Sequence, residues 1–355
     1  MPDAGLGNKS YAGLNFETAW GTKNTDLTQF EGVATGLKPW IDINSETLTV
    51  EERPLRSASL TGIGPLYNKI APGPRGITGD IVWTPNYDSE TIQRLFRAAM
   101  GFYLNVGNNE IQYRPDDKLP AVTAEVHLDK TAVRFYGGSV SQLRGTVSPD
   151  SFFDITASFI FKDFDEIAYV DWKTVSFDGT NRDTLIRSDH LSIARFTPEG
   201  GSNIDIASVR DFEFFYDNRL NPDRRVLGSR LIKEPDRTDR LATGGRAVLE
   251  FDDATLFYQF YTQTVGQMIF KFDSGEGTAS SGTNFSIIFD WPRARIATGT
   301  PTVNAFGIIT LEVEWEGLQG VDGDFGTDAA LIATIINNSQ LAANAQPANY
   351  TSWTP

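Results

Sequence analysis

"GDIVWTPNYDSETIQRLFRAAMG" (residues 79–101) and "GRAVLEFDDATLFYQFYTQTVG" (245–266) carry the same message twice: glycine, strand, turn, short amphipathic helix, glycine. In the first, Ile92, Leu95, Phe96, Ala99 and Met100 fall at i, i+3, i+4, i+7 and i+8, one apolar stripe along a helix. Asp88 can accept backbone N–H bonds as the N-cap, and Gly101 suits the left-handed residue that closes a helix. In the second, Asp253 stands at the cap, Phe257, Phe260, Tyr261 and Val265 repeat the stripe, and Gly266 closes it. The pattern predicts helices over 88–100 and 253–265. Aromatic and β-branched residues in "LFYQFYTQTV" favour a strand, but the cap and closing glycine favour the helix.

Around these units the chain alternates apolar and polar residues over short runs, the period of half-buried strands. "DITASFIF" (154–161) puts Ile155, Ala157, Phe159 and Phe161 on one face. "ITLEVEWEG" (309–317) puts Ile309, Leu311, Val313 and Trp315 on one face and Glu312, Glu314 and Glu316 on the other. The copies extend outward at an offset of about 165 residues: "TLTVEE" (47–52) matches "DFEFFYD" (211–217), "FYLNV" (102–106) matches "MIFKF" (268–272), and two further strands follow in each half. The expected fold is mainly β: two tandem antiparallel β-sandwich or barrel domains over 41–170 and 171–320, each with one flanking helix. An N-terminal arm (1–40) and a C-terminal arm (321–355) lie outside them. Both arms are polar with isolated aromatics (Phe16, Trp20, Tyr350, Trp353), a composition that stays disordered unless docked, so they are expected to dock on a partner.

The 355 residues suffice for two cores, and 31 basic against 46 acidic residues give a net charge of −15. So acidic a surface repels the phosphate backbone and argues against a conventional nucleic-acid binder. The absence of cysteine excludes disulfides and thiolate chemistry. The first residues lack the basic start and apolar run of a secretory signal, and no run of 18 apolar residues appears, so a soluble chain with no membrane span is expected.

Two long connections run against the acidic background. Residues 52–78 carry Arg53, Arg56, Lys69 and Arg75 against Glu52, and residues 218–244 carry Arg219, Arg224, Arg225, Arg230, Lys233, Arg237 and Arg240 against four acids, a net of +3 in each. Connections beyond roughly 12–15 residues without their own structure are usually functional or disordered. Basic loops on an acidic body are expected to reach a neighbouring copy.

No catalytic constellation stands out. His127 lies in an alternating strand, where a structural role is expected, and His190 has Asp189 beside it but no recognisable nucleophile. "DGDFGTD" (322–328) only faintly resembles a calcium loop, and Asp163, Asp165 and Glu166 would suit glycoside hydrolysis only if they faced one another in a cleft. No enzyme activity, cofactor or metal is expected.

"YAGLNFETAWGT" (11–22) resembles the N-terminus of tail tube proteins of long-tailed bacteriophages. "LPAVTAEVHL" (119–128), "RFYGGSVSQLRGTVS" (134–148), "SVRDFEFFYDNRL" (208–220), "FDDATLFYQF" (251–260) and "EVEWEGLQGVDG" (312–323) resemble the same family in the same order. The resemblance implies an antiparallel β-sandwich with one flanking helix, usually six domains to a ring, rings stacked into a tube of the virion tail. A duplicated chain would then form a trimer imitating a hexamer. The tube would pass double-stranded DNA without binding it specifically, and would meet tail terminator, tape measure and distal tail proteins after assembly in the host cytoplasm. On this reading Arg53, Arg56, Arg219, Arg224, Arg225, Arg230, Lys233 and Arg237 make inter-subunit contacts. Glu312 and Glu314 are candidates for an acidic lumen, with an interface or the outer wall as alternatives. The competing functional reading is a β-rich virion protein that binds or hydrolyses carbohydrate.

Overall fold

A computed structural model describes residues 10–24, 40–56, 70–87, 89–107, 109–171, 185–206, 208–251, 254–278, 284–302, 309–321 and 328–337. The first half runs β1 (Ser10–Phe16), β2 (Trp40–Asp42), β3 (Ser45–Glu46), β4 (Thr49–Glu52), β5 (Leu55–Arg56), β6 (Ile70–Ala71), β7 (Arg75–Trp83), α1 (Glu90–Met100), β8 (Gly101–Gly107), β9 (Glu110–Pro115), β10 (Val122–Leu128), β11 (Thr131–Val147), β12 (Asp154–Phe161) and β13 (Asp163–Ile167). The second runs β14 (Leu191–Pro198), β15 (Ile204–Asp205), β16 (Val209–Asp217), β17 (Ala242–Glu250), α2 (Thr255–Tyr261), β18 (Val265–Thr278), β19 (Asn284–Thr302), β20 (Thr310–Gly317), β21 (Gly320–Val321), β22 (Asp328–Ala329) and β23 (Ile332–Ile336). The protein is mainly β; among the described residues 19 strands join into one large antiparallel network, and β5–β6 and β21–β22 form two small sheets beside it.

Alternation places these strands as the sequence implies. Ile155, Ala157, Phe159 and Phe161 of β12 are buried, as are Leu311, Val313 and Trp315 of β20 and Phe212, Phe214 and Tyr216 of β16. Each large side chain so removed from water contributes roughly 1.5–3 kcal/mol. The layers meet through these rings: Phe212 of β16 lies 4.4 Å from Phe270 of β18, and Phe270 stacks on Trp315 of β20 at 5.1 Å.

The same succession of pairings is made twice. In the first half β4 pairs with β7, β7 with β12, β12 with the C-terminal part of β11, the N-terminal part of β11 with β10, and β10 with β1. In the second β16 pairs with β17, β17 with β20, β20 with the C-terminal part of β19, the rest of β19 with β18, and β18 with β14. Trp83 opposite Ile155 corresponds to Leu249 opposite Leu311, and Gly145 opposite Ile155 to Pro301 opposite Leu311. The irregularities repeat too: the register shifts between Val140 and Gln142 and between Ile296 and Thr298, and again between Val122 and Ala124 and between Gly266 and Met268. A bulge bends a strand, which lets β11 and β19 each serve both layers.

Several expectations are corrected. The offset is not constant, because β8 and β9 form a hairpin after α1 without a counterpart among the described residues of the second half. "MIFKF" in β18 therefore corresponds to β10, not to "FYLNV" in β8. The first helix begins at Glu90, with Ser89 as N-cap accepting from the Ile92 N–H, and Gly101 closes it at φ 90°; Asp88 and Asp253 lie outside the described residues. The second helix spans only Thr255–Tyr261, shorter than expected, because strand propensity prevails from Val265 onward and Gln263, at φ 51°, makes the turn. Gly266 sits within β18, where a Cβ would lie 2.3 Å from the Thr197 carbonyl oxygen. The arms also supply strands to their own chain: β1 pairs with β10 and β2, and β23 with β19 and β9. Tyr350, Trp353 and most of the 322–328 stretch lie outside the described residues.

Glu17 fixes the exit of β1. Its buried carboxylate accepts from the Gly137 N–H (2.7 Å), the Gly21 N–H (2.7 Å) and the Thr123 hydroxyl (2.8 Å). Burial raises its carboxyl above the ordinary glutamate value despite these donors. The group's contribution is thus fully present below the unfolded value and declines as pH rises through the folded one. Glu17→Ala orphans two backbone donors and is expected to cost about 2 kcal/mol or more, read as a lower Tm.

Candidate assembly interface

The two halves are joined edge to edge. The C-terminal part of β11 has β12 on one side and β16 on the other, with Gln142 opposite Asp217, Leu143 opposite Tyr216 and Val147 opposite Phe212. Arg144 and Glu213 add an ion pair across the seam at 3.2 Å. The resulting sheet runs β4, β7, β12, β11, β16, β17, β20, β19, and among the described residues the outer edges of β4 and of the C-terminal part of β19 pair with no further strand.

Helix α1 seals this seam from within the core, and every residue from Glu90 to Met100 is buried. Phe96 contacts Tyr113 of β9, Phe214 of β16 and Phe289 of β19, with centroids 6.0–6.3 Å apart. Asn218 donates to the carbonyls of Ala99 (2.7 Å) and Val140 (3.0 Å). Asn337 donates to the Tyr87 carbonyl (2.8 Å) and accepts from the Gln93 amide (2.7 Å). Asn218, Asn337 and Gln93 were not singled out from the sequence; lone polar residues gain meaning there only once the partners that lie beside them are known.

The two basic loops meet one another. Arg230 donates to the Gly73 carbonyl (3.0 Å) and pairs with Glu52, while Arg225 donates to the Arg75 carbonyl (2.8 Å). Arg224 binds the Glu234 carbonyl (2.8 Å) and Asp236 (3.4 Å), and accepts the Lys233 N–H on its own carbonyl. Arg237 binds Asn218 (2.8 Å) and Asp117 (3.5 Å), Arg219 pairs with Asp217, and Arg53 with Glu51. Arg56 lies on β5, whose pairing with β6 gives the first loop a small hairpin of its own. Leu55 and Ile70 on that hairpin and Val226 and Leu227 on the other loop are exposed.

The solvent face of the long sheet is acidic. Glu312 pairs with Arg246 across the strands, which holds its carboxyl below the ordinary value, and Glu314 accepts from Thr298 (3.2 Å). Glu316 pairs with Arg295, and Asp80 belongs to the same polar face by alternation.

The remaining titratable candidates have structural settings. His127 stacks on Tyr11 at 4.5 Å and accepts from the Val170 N–H, and His190 lies 3.2 Å from the Tyr87 hydroxyl. Asp163 binds Arg75 and Asp165 binds Lys23. Among the described residues no group of three His, Cys, Asp or Glu could hold a metal ion, and no helix is long and apolar enough to cross a membrane.

The class the fold defines is a mainly antiparallel β protein in which one succession of strand pairings is made twice and joined edge to edge. The sequence pattern of the phage tail tube protein family matches residues 7–317, and the chain belongs to that family. Comparison with curated proteins finds no match. Membership implies a structural protein of the virion tail that assembles with itself and with other tail proteins.

The loop contacts can be checked locally. Arg230→Ala is expected to raise amide exchange at 70–75 and 226–232 several-fold, while global stability falls by no more than about 1 kcal/mol because the side chain is half exposed.

Proposed function

We propose that three copies of this chain close into a ring, each filling two of six equivalent places with modules over 41–170 and 171–320, and that rings stack into the tube through which the phage genome leaves. The observation that carries the reading is the β11–β16 seam: one module already joins the next edge to edge, while among the described residues the matching edges at both ends of the sheet pair with no further strand. Open edges are templates for pairing, and closing them into a ring removes them. The paired loops, with Arg53, Arg56, Arg219, Arg224, Arg225, Arg230, Lys233 and Arg237 and the exposed Leu55, Ile70, Val226 and Leu227, are the contact to neighbouring subunits. Tail terminator, tape measure and distal tail proteins are the further partners, and assembly takes place in the host cytoplasm. The role is structural, without catalysis, cofactor or membrane.

At high concentration the purified chain should yield hollow rings or filaments by negative-stain microscopy, and mass photometry should give three chains per ring. A chain that stays monomeric, or rings of six chains, would overturn the reading.

The acidic face of the long sheet is the proposed lumen, with Glu312 and Glu314 in it. A basic wall repeated ring after ring would bind phosphates and release counterions, whereas an acidic wall lets DNA slide. Tubes carrying Glu312→Lys and Glu314→Lys together should retain double-stranded DNA at low salt and release it as salt rises. Wild-type tubes should retain none. A tube whose lumen is lined mainly by Lys and Arg would refute the sliding wall.

A further inference from the structure

The internal seam shows what covers α1, and the repeat shows what α2 lacks. Both helices lie against the long bent strand of their own half, α1 on β11 and α2 on β19. Six residues into each stands an aromatic: Phe96 is 0% exposed, and its counterpart Tyr261 is 76% exposed. Tyr258 on α2 is also 60% exposed, whereas nothing on α1 is. Phe214 of β16 is one of the three rings that cover Phe96, and the one carried by the strand across the seam. By the matching ladders, Phe214 opposite Gly245 corresponds to Leu48 beside Gly79, and Tyr216 opposite Thr243 to Val50 opposite Ile77. Tyr216 is fully buried, but Val50 is 38% exposed. Two apolar surfaces that meet inside the chain are therefore each repeated once, at opposite ends, and among the described residues Tyr261 on one and Val50 on the other are exposed.

We infer that the open face of α2, with the outer edge of the C-terminal part of β19, receives the β3–β4 edge of a second copy in the register of the internal seam. This rests on the ring reading above and specifies the contact by which one copy meets the next. Gln142 opposite Asp217 becomes Thr298 opposite Glu51 of the second copy, and Leu143 opposite Tyr216 becomes Gly299 opposite Val50. Tyr261 takes the place of Phe96 and packs on Leu48 of the second copy. The intermolecular seam is the weaker of the two. Pro301 stands where Gly145 stands and has no N–H to give to a ladder, the Arg144–Glu213 pair has threonines in its place at 300 and 47, and α2 is not followed by a counterpart of the β8–β9 hairpin.

Because the chain has no cysteine, the register can be read by cross-linking. Glu51→Cys with Thr298→Cys places two exposed positions opposite each other across the inferred contact, and oxidation of assembled rings should give covalent dimers and trimers on a non-reducing gel. Thr49→Cys with Thr298→Cys, two residues out of register, should give at least tenfold less. Separately, Tyr261→Glu should raise the concentration for half-assembly at least tenfold while leaving the monomer's Tm unchanged; a merely structural role would lower the Tm instead. Rings that form without the in-register cross-link, or that survive Tyr261→Glu, overturn the inference and leave the ring reading standing. A wild-type chain that forms no rings overturns both.

Discussion

Everything in this fold depends on how it satisfies the edges of its sheets. A strand at the rim of a sheet carries unpaired N–H and C=O groups, and leaving a long apolar strand in that state invites association with any other edge. Here an apolar rim, β16 with the buried Phe212, Phe214 and Tyr216, is given to β11, so that the join between the halves runs through the aromatic core. Phe214 touches Phe96, Phe153 and Phe289, residues from both halves, in one continuous cluster. Gly145 permits that approach, since a Cβ there would fall 2.2 Å from the Phe214 ring.

The repeated bulges show why one strand can do so much. β11 and β19 are long, and each crosses from one layer to the other where an extra residue bends it. That geometry gives each half the same open edge and the same helix seat. The halves then diverge in what fills them: α1 is enclosed by aromatic rings and by the amides of Asn218 and Asn337, and α2 is left half open. The β8–β9 hairpin, inserted in the first half, pairs with β23 of the second and strengthens the internal join alone.

Charge follows a similar division. The polar face of the long sheet holds an excess of carboxylates, several of them paired to arginines on the adjacent strand, as Glu312 is to Arg246 and Glu213 to Arg144. The compensating basic residues concentrate in two loops, where Arg224, Arg225 and Arg230 each bind a backbone carbonyl as well as a carboxylate. Arginine suits that use, since its planar fork can bind two acceptors at once and stays charged.

The sequence by itself determined the β class, the burial pattern of β12, β16 and β20, the first helix and its closing Gly101 though not its N-cap, and the equivalence of Gly79 with Gly245. These follow from alternation, periodicity and backbone constraint, which are properties of a few adjacent residues. The family was legible in scattered motifs whose order carried the match. Only the tertiary structure decided that "MIFKF" answers β10 rather than β8, that Glu17 ties its own turn to the distant Thr123 and Gly137, and that the two loops bind each other. It alone shows that one helix is enclosed and its counterpart open. Those facts depend on pairings between residues far apart in the chain, where a one-residue slip would turn every side chain to the opposite face, and no local pattern specifies which partner is met.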